Sequence, residues 1–348
     1  MSDPLSPLPM FGAGRHLLSV QQFDRTGLDR LFDLADLVTP IAERQSVCTV
    51  LDGAVLCSLF FEPSTRTRLS FESAFLRLGG EVTTTTGFTF SSMAKGESIQ
   101  DTSRVVSGYS DVLVVRHPDE GSVADFASAS TVPVLNAGDG AGEHPSQALL
   151  DVYTLTRELD ARGRSIDGCT IAIVGDLRYG RTVHSLMKLL ALGEKVTFRL
   201  FSPGGLDLPQ ATADYVEQRG HTVEYCDSVV EAVTGAEVVY ATRVQRERMT
   251  EEAHAGVRGS LLNRAMLEEA GSTDIIIMHP LPRDARHDSY DLSSDVDDLP
   301  GLSIFHQTDN GLKVRMALFL TALGCSADNV RATLKRRPWR ADLDWPTA

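Results

Sequence analysis

The 348-residue chain has no Cys-x-x-Cys pair, no surplus of positive charge and no long apolar run. Its five cysteines, Cys48, Cys57, Cys169, Cys226 and Cys325, are scattered and odd in number. That pattern argues against a disulfide framework or a zinc knuckle and fits a reducing compartment. Lys and Arg number 33 against 47 Asp and Glu, a formal net charge of −14. Nucleic-acid and anionic-membrane binders depend on a basic field, so neither partner is expected. Apolar runs fall short of the roughly 18 residues a spanning helix needs. The opening stretch MSDPLSPLPMFGAGRH has no basic segment followed by an apolar one, so a cytoplasmic location is the expectation. Also missing are G-x-S-x-G, H-E-x-x-H and G-x-G-x-x-G, and the nine histidines do not cluster. What remains is an ordinary globular composition, 42% hydrophobic and 23% charged, with length enough for about two domains.

Short, nearly continuous apolar runs recur at 54–61, 111–115, 131–135, 169–174, 196–201, 236–241 and 274–278. Continuity rather than alternation suits parallel strands buried on both faces. Between them, helical periodicity covers 64–78, 98–108, 121–129, 146–162, 181–192, 208–219 and 263–270, and again 311–324. Strand and helix in alternation predict an α/β fold: two doubly wound parallel-sheet domains joined by helices, with the C-terminal helix packing back on the first. The expected domains are 1–147 and 148–307, with helix 308–330 returning to the first and 331–348 as a charged, mobile tail.

The segment LFFEPSTRTRLSFESAFLRLGG (59–80) carries the most chemistry. Glu62-Pro63 ends a strand, Ser64 stands where a helix N-cap belongs, and the helix is expected to bury Leu69, Phe71, Phe75 and Leu78. Ser64, Thr65, Arg66 and Thr67 then fill a first turn whose free backbone N–H groups and positive dipole end suit an anion. A guanidinium in that turn matches a pair of phosphate oxygens. Lys95 precedes a glycine in a polar loop, Arg116 and His117 follow a strand, and a glycine-rich loop delivers His144 and Gln147 to a helix start. In open α/β sheets ligands bind outside the carboxyl ends of the strands, so Arg66, Arg116 and His144 are expected to converge on a crevice. The second half repeats the theme: Arg181 at a helix start, Arg243 and Gln245 after a strand, and a rigid His279-Pro280-Leu281-Pro282 loop. Gly175-x4-Gly180-Arg181-Thr182 is a poor P-loop, with arginine for lysine and bulky residues inside. Cations from two domains suggest two anionic substrates, and a reaction run by positioning and oxyanion stabilisation.

FEPSTRTRLSFE, KGES, RHP, HPSQALLD, GDLRYGRTVHSL, TRVQRER, HPLPR and QTDNGLKVRMAL stand in an order and spacing that closely resemble the aspartate/ornithine transcarbamoylase family, from about Phe60 to Gly324. The ornithine branch typically has a cysteine where this chain has Pro280, which favours aspartate. The resemblance implies that Ser64, Thr65, Arg66, Thr67, Arg116, His144 and Gln147 hold carbamoyl phosphate. Arg181, Arg243, Gln245, Pro280 and Leu281 would hold L-aspartate. Ser91 and Lys95 would come from a neighbouring subunit, making a homotrimer with shared active sites the smallest active unit. Thr67, Arg116 and His144 would polarise the carbamoyl carbonyl, while Arg66 and Lys95 neutralise the departing phosphate. Glu62 and Arg248 resemble a pair that bridges the domains on closure. No metal or organic cofactor is implied, and regulatory or dihydroorotase-type chains are the larger partners the family suggests. One segment departs from the family pattern: DARHDSYDLSS (284–294) replaces a shorter acidic stretch.

Overall fold

A computed structural model of the chain describes residues 8–87, 95–243, 262–283 and 291–338. The chain forms two compact units: Met1–Leu18, Thr26–Asp139 and Gly311–Ala348 make the first, Ser19–Arg25 and Gly140–Asn310 the second. By this division His144 and Gln147 fall in the second unit.

The first unit opens with helices α1 (Arg25–Leu37) and α2 (Thr39–Ala42) and a short strand β1 (Ser46–Val47). Its sheet consists of β2 (Val55–Phe60), β3 (Glu81–Thr86), β4 (Val112–His117) and β5 (Val134–Asp139). All pairings are parallel, in the order β3-β2-β4-β5. The crossovers are α3 (Thr65–Arg77), α4 (Ile99–Ser107) and α5 (Ser122–Ala129). Leu59, Phe61, Leu113 and Val115 pack with Val123 and Phe126 of α5 in one buried cluster. Phe71 and Phe75 of α3 meet Phe319 edge-on, with ring centroids 5.8 and 4.9 Å apart. Edge-to-face pairs of this kind add about 0.5–1.5 kcal/mol each beyond the area they bury.

The second unit begins its long run with α6 (Pro145–Asp160), followed by β6 (Thr170–Val174), α7 (Arg181–Leu190), β7 (Thr197–Phe201), α8 (Gln210–Glu217) and β8 (Thr222–Tyr225). Then come α9 (Val229–Val233), β9 (Val238–Ala241), the helix Arg264–Glu269 and β10 (Ile276–Met278). The five strands are parallel in the order β10-β9-β6-β7-β8. Ala172, Val174, Val239, Ala241, Ile275 and Ile277 form the centre of its core. The long helix Ile304–Ala322 starts in this unit and finishes in the first.

The two parallel sheets match the fold expected from the run pattern, and the differences have physical causes. β3 and β8 were not among the expected strands. Both are sheet edges with exposed, polar residues, so neither shows the continuous apolar run of a central strand. Leu69 is 49% exposed, against the expectation that it is buried. It lies two positions before Phe71, about 200° around the helix from the face that Phe71 and Phe75 share. The final helix begins at Ile304 rather than at 311, because the polar stretch HQTDN continues the helix. The tail is not a free extension as far as Pro338. Ser326 caps the helix Ala327–Thr333 with a full capping box, and β11 (Lys335–Arg336) pairs antiparallel with β1. Residues 339–348 lie outside the described residues.

Gly175, just past β6, holds φ +128, and a Cβ there would stand 2.3 Å from the Thr242 carbonyl oxygen just past β9. Gly175→Ala is therefore expected to cost about 2–4 kcal/mol, combining backbone strain with a clash against main chain. Gly204→Ala, where a Cβ meets nothing within 4 Å, is the control and is expected to be neutral. Equal thermal midpoints for the two variants would contradict this close approach.

Candidate active site

β2 and β4 are neighbours whose onward connections run to opposite sides of the first sheet, β2 to β3 and β4 to β5. Ligands of open α/β sheets bind outside the carboxyl ends of the strands at such a reversal. The chain leaving β2 there becomes Ser64, the N-cap of α3, and the serine hydroxyl makes no capping bond. The first turn of α3 also holds no acidic residue. By contrast α4 is capped internally, Ser98 Oγ accepting from the Asp101 N–H at 3.0 Å. Thr65 and Arg66 are exposed and Thr67 is buried, so the turn carries a guanidinium open to solvent. Partial desolvation draws Arg66 below the ordinary arginine pKa, and a guanidinium keeps its charge regardless.

Arg116, at the end of β4, is the Cα partner of Phe60 on β2, and its carbonyl accepts from the Phe61 N–H at 2.9 Å. The residue is only 8% exposed. Nη2 lies 2.7 Å from Glu62 Oε2 and Nη1 donates to the Ala137 carbonyl at 3.1 Å. The guanidinium is thus held between a carboxylate and a carbonyl. Neighbouring His117 takes a different part: its Nδ1 accepts from the Asp119 N–H at 3.1 Å and orders the turn after β4. Burial pushes the His117 pKa down and that of Asp139 up, Asp139 accepting from the Gly121 and Val123 N–H groups.

In the second unit the reversal falls between β6 and β9. β6 leads through the loop 175–180 to Arg181, first residue of α7, whose N-cap Gly180 offers no side-chain cap. Arg181 is half-buried and its guanidinium donates to the Gly140 carbonyl. Arg243 follows two residues after β9 and is half-buried. Inside the loop, buried Asp176 accepts from the Tyr179 N–H at 2.8 Å. A P-loop needs such amides for phosphate, so the protein's own carboxylate fills that place. β10 leads to His279, whose Nδ1 accepts from the Leu281 N–H at 2.8 Å and whose Nε2 donates to Asp291 at 3.0 Å. Leu281 holds φ +55 and precedes a cis peptide to Pro282. A β-unbranched leucine in the left-handed region is uncommon, and such residues gather at ligand sites. His144 is buried as the N-cap of α6, ahead of Pro145, and Gln147 is half-buried one turn in.

Each unit therefore gathers its share of the expected residues at its own reversal point: Ser64, Thr65, Arg66, Thr67 and Arg116 in the first, Arg181 and Arg243 in the second. Lys95 is exposed at the start of the segment leading to α4. Ser91, Gln245 and Arg248 lie outside the described residues. Among the described residues no group of three His, Cys, Asp or Glu could hold a metal ion, and no helix is long and apolar enough to cross a membrane. Sequence reading missed Glu62 as the partner of Arg116. It also missed the buried set of Asp151, Tyr240 and Gln307 beneath Gln147. A signal for Asp151 existed: a carboxylate inside the apolar run ALLDVYTL of α6 must find buried donors.

Residues 15–157 match the family described as "Aspartate/ornithine carbamoyltransferase, carbamoyl-P binding domain", and residues 167–322 its "Asp/Orn binding domain". The chain is 52% identical to the aspartate carbamoyltransferase catalytic subunit of Dichelobacter nodosus, over 89% of this chain and 90% of that one. It is 44% identical to the chloroplastic aspartate carbamoyltransferase of Arabidopsis thaliana, over 86% of this chain and 75% of that one. Among solved structures, aspartate transcarbamoylase of Trypanosoma cruzi in complex with carbamoyl phosphate and aspartate superposes with a TM-score of 0.80 at 37% identity. That match covers 91% of this chain and 99% of the other. The chain belongs to the aspartate/ornithine carbamoyltransferase family.

Proposed function

We propose that the chain transfers the carbamoyl group of carbamoyl phosphate to the α-amino group of L-aspartate, giving N-carbamoyl-L-aspartate and phosphate, an early step of pyrimidine synthesis. The observation that carries this is the α3 turn Ser64–Thr67, an uncapped helix N-terminus with its own guanidinium, set at the strand reversal beside clamped Arg116. It is the local cationic pocket that a phosphate requires in a chain of net charge −14.

In this reading the backbone N–H groups of the turn, with Ser64, Thr65 and Arg66, take the phosphate oxygens. Thr67, Arg116 and His144 donate to the carbamoyl oxygen, and their hydrogen bonds strengthen as it becomes an oxyanion under attack. Arg116 suits that work because Glu62 and the Ala137 carbonyl already hold it, so little reorganisation is left for the reaction. Gln147 orients the carbamoyl amide, while Arg181, Arg243, Gln245 and the Pro280–Leu281 loop hold aspartate, fixing its two carboxylates and aiming its amine. Collapse of the tetrahedral intermediate expels phosphate toward Arg66 and Lys95. Ser91 and Lys95 act from a neighbouring chain of a homotrimer in the cytoplasm. Leu69 and Leu76 support assembly, standing 49% and 55% exposed on the outward face of α3.

Three outcomes test this reading. Offered aspartate, ornithine and N-acetylornithine side by side, the enzyme is expected to use aspartate with a kcat/KM at least ~10²-fold above the others. Preference for another amine, or no turnover of carbamoyl phosphate at all, contradicts the assignment. Arg66→Ala is expected to lower kcat by about 10²–10³ with an unchanged melting temperature, since the side chain is exposed; near-normal turnover would misplace the phosphate. Mixing inactive Arg66→Ala and Lys95→Ala trimers and allowing subunit exchange is expected to restore activity. No restoration after verified exchange contradicts a shared site.

A further inference from the structure

Beneath the substrate-facing residues of the second unit lies one fully buried carboxylate, Asp151, on the second turn of α6. Its Oδ1 accepts from Gln147 Nε2 at 2.8 Å and from Gln307 Nε2 at 2.5 Å, and its Oδ2 accepts from the Tyr240 hydroxyl at 2.8 Å. Each donor belongs to a different segment. Tyr240 stands on β9 three residues before Arg243. Gln307 turns its other end, Oε1, to accept from the His279 N–H at 3.0 Å, at the head of the Pro280–Leu281 loop. One carboxylate thus joins the α6 start, the end of β9 and, through Gln307, the loop after β10.

The chemistry of that contact fixes the outward face of Gln147. An ionised carboxylate only accepts, so the carboxamide must turn its NH2 inward to Asp151 and its carbonyl oxygen away from it. A carboxamide otherwise flips at little cost, and the two orientations recognise opposite partners: a carbonyl oxygen takes an N–H donor, an NH2 group takes an acceptor.

We propose that Asp151 is a positioning residue that locks Gln147 with its carbonyl oxygen toward the substrate and so makes the site select an acyl phosphate bearing an NH2 group over one bearing a methyl group. This rests on the reading of Gln147 as a carbamoyl-phosphate contact. Selectivity follows from a fixed acceptor: a methyl group leaves the Gln147 oxygen without a donor, and sites built to pair a hydrogen-bonding group reject analogues that lack it.

The test compares the dissociation constants of carbamoyl phosphate and acetyl phosphate for the whole enzyme. The wild type is expected to favour carbamoyl phosphate by ~10-fold or more, the scale of one buried hydrogen bond plus an unmatched acceptor. In Asp151→Ala water fills the space between the three donors, the lock is lost, and that preference is expected to fall at least about fivefold. Asp151→Asn keeps a carbonyl oxygen facing Gln147 Nε2 and is expected to retain the preference within about threefold. Should the alanine variant not fold, Asp151→Ser replaces it with the same expectation, since its hydroxyl and one water can meet the three donors. A merely structural role weakens both phosphates alike and leaves their ratio unchanged, which would overturn the proposal. A wild type that binds both equally also overturns it. A wild type that binds neither shows instead that the carbamoyl-phosphate reading has failed.

Discussion

Parallel strands all deliver their chains to the same edge of a sheet, and the helix that follows begins there with its backbone N–H groups unpaired. That polarity is the constraint from which the rest of this protein follows. A chain with 47 acidic and 33 basic side chains can bind anions only where positive potential is gathered locally. Helix N-termini gather it without adding net charge, and arginines placed at the same edge complete it. In the first unit the α3 turn and Arg116 share the reversal between β2 and β4. In the second, Arg181 and Arg243 flank the reversal between β6 and β9.

Rigidity at these edges comes from polar contacts below the cations rather than from the cations themselves. Glu62 and the Ala137 carbonyl fix Arg116, the Gly140 carbonyl receives Arg181, and the pair His279–Asp291 sets the backbone of the loop holding Leu281. Asp151 does the same for the α6 start, the end of β9 and, through Gln307, the loop after β10. Such buried groups are costly unless partners are supplied, and Asp151 has three donors on its two oxygens. A network of that kind holds its members in one geometry, which is what oxyanion stabilisation without reorganisation requires.

Much of this was legible in the sequence because burial on both faces leaves a plain record. β2, β4, β6, β7 and β9 are runs such as VLVV and TIAIV, and their ends could be placed within a few residues. The edges β3 and β8 left no such record, since exposed threonines and glutamates satisfy an edge as well as a loop. Leu69 misled because hydrophobicity alone does not say which face of α3 is covered. A candidate anion turn was legible where chemistry and local position coincide, as in Ser64-Thr65-Arg66-Thr67. The site was illegible where partners are distant in sequence: nothing near Asp151 announces Tyr240 or Gln307, which only the fold brings to it.

The central claim is that the phosphate of the substrate sits on the α3 turn while a dicarboxylate sits on Arg181 and Arg243. A crystal structure of the enzyme with carbamoyl phosphate and succinate, an aspartate mimic without the reactive amine, tests it most directly. The account predicts phosphate oxygens within hydrogen-bonding distance of the Ser64–Thr67 backbone and of the Arg66 guanidinium, with succinate carboxylates on Arg181 and Arg243. Phosphate bound elsewhere, such as over the loop 175–180, with the α3 turn facing only water, would contradict it.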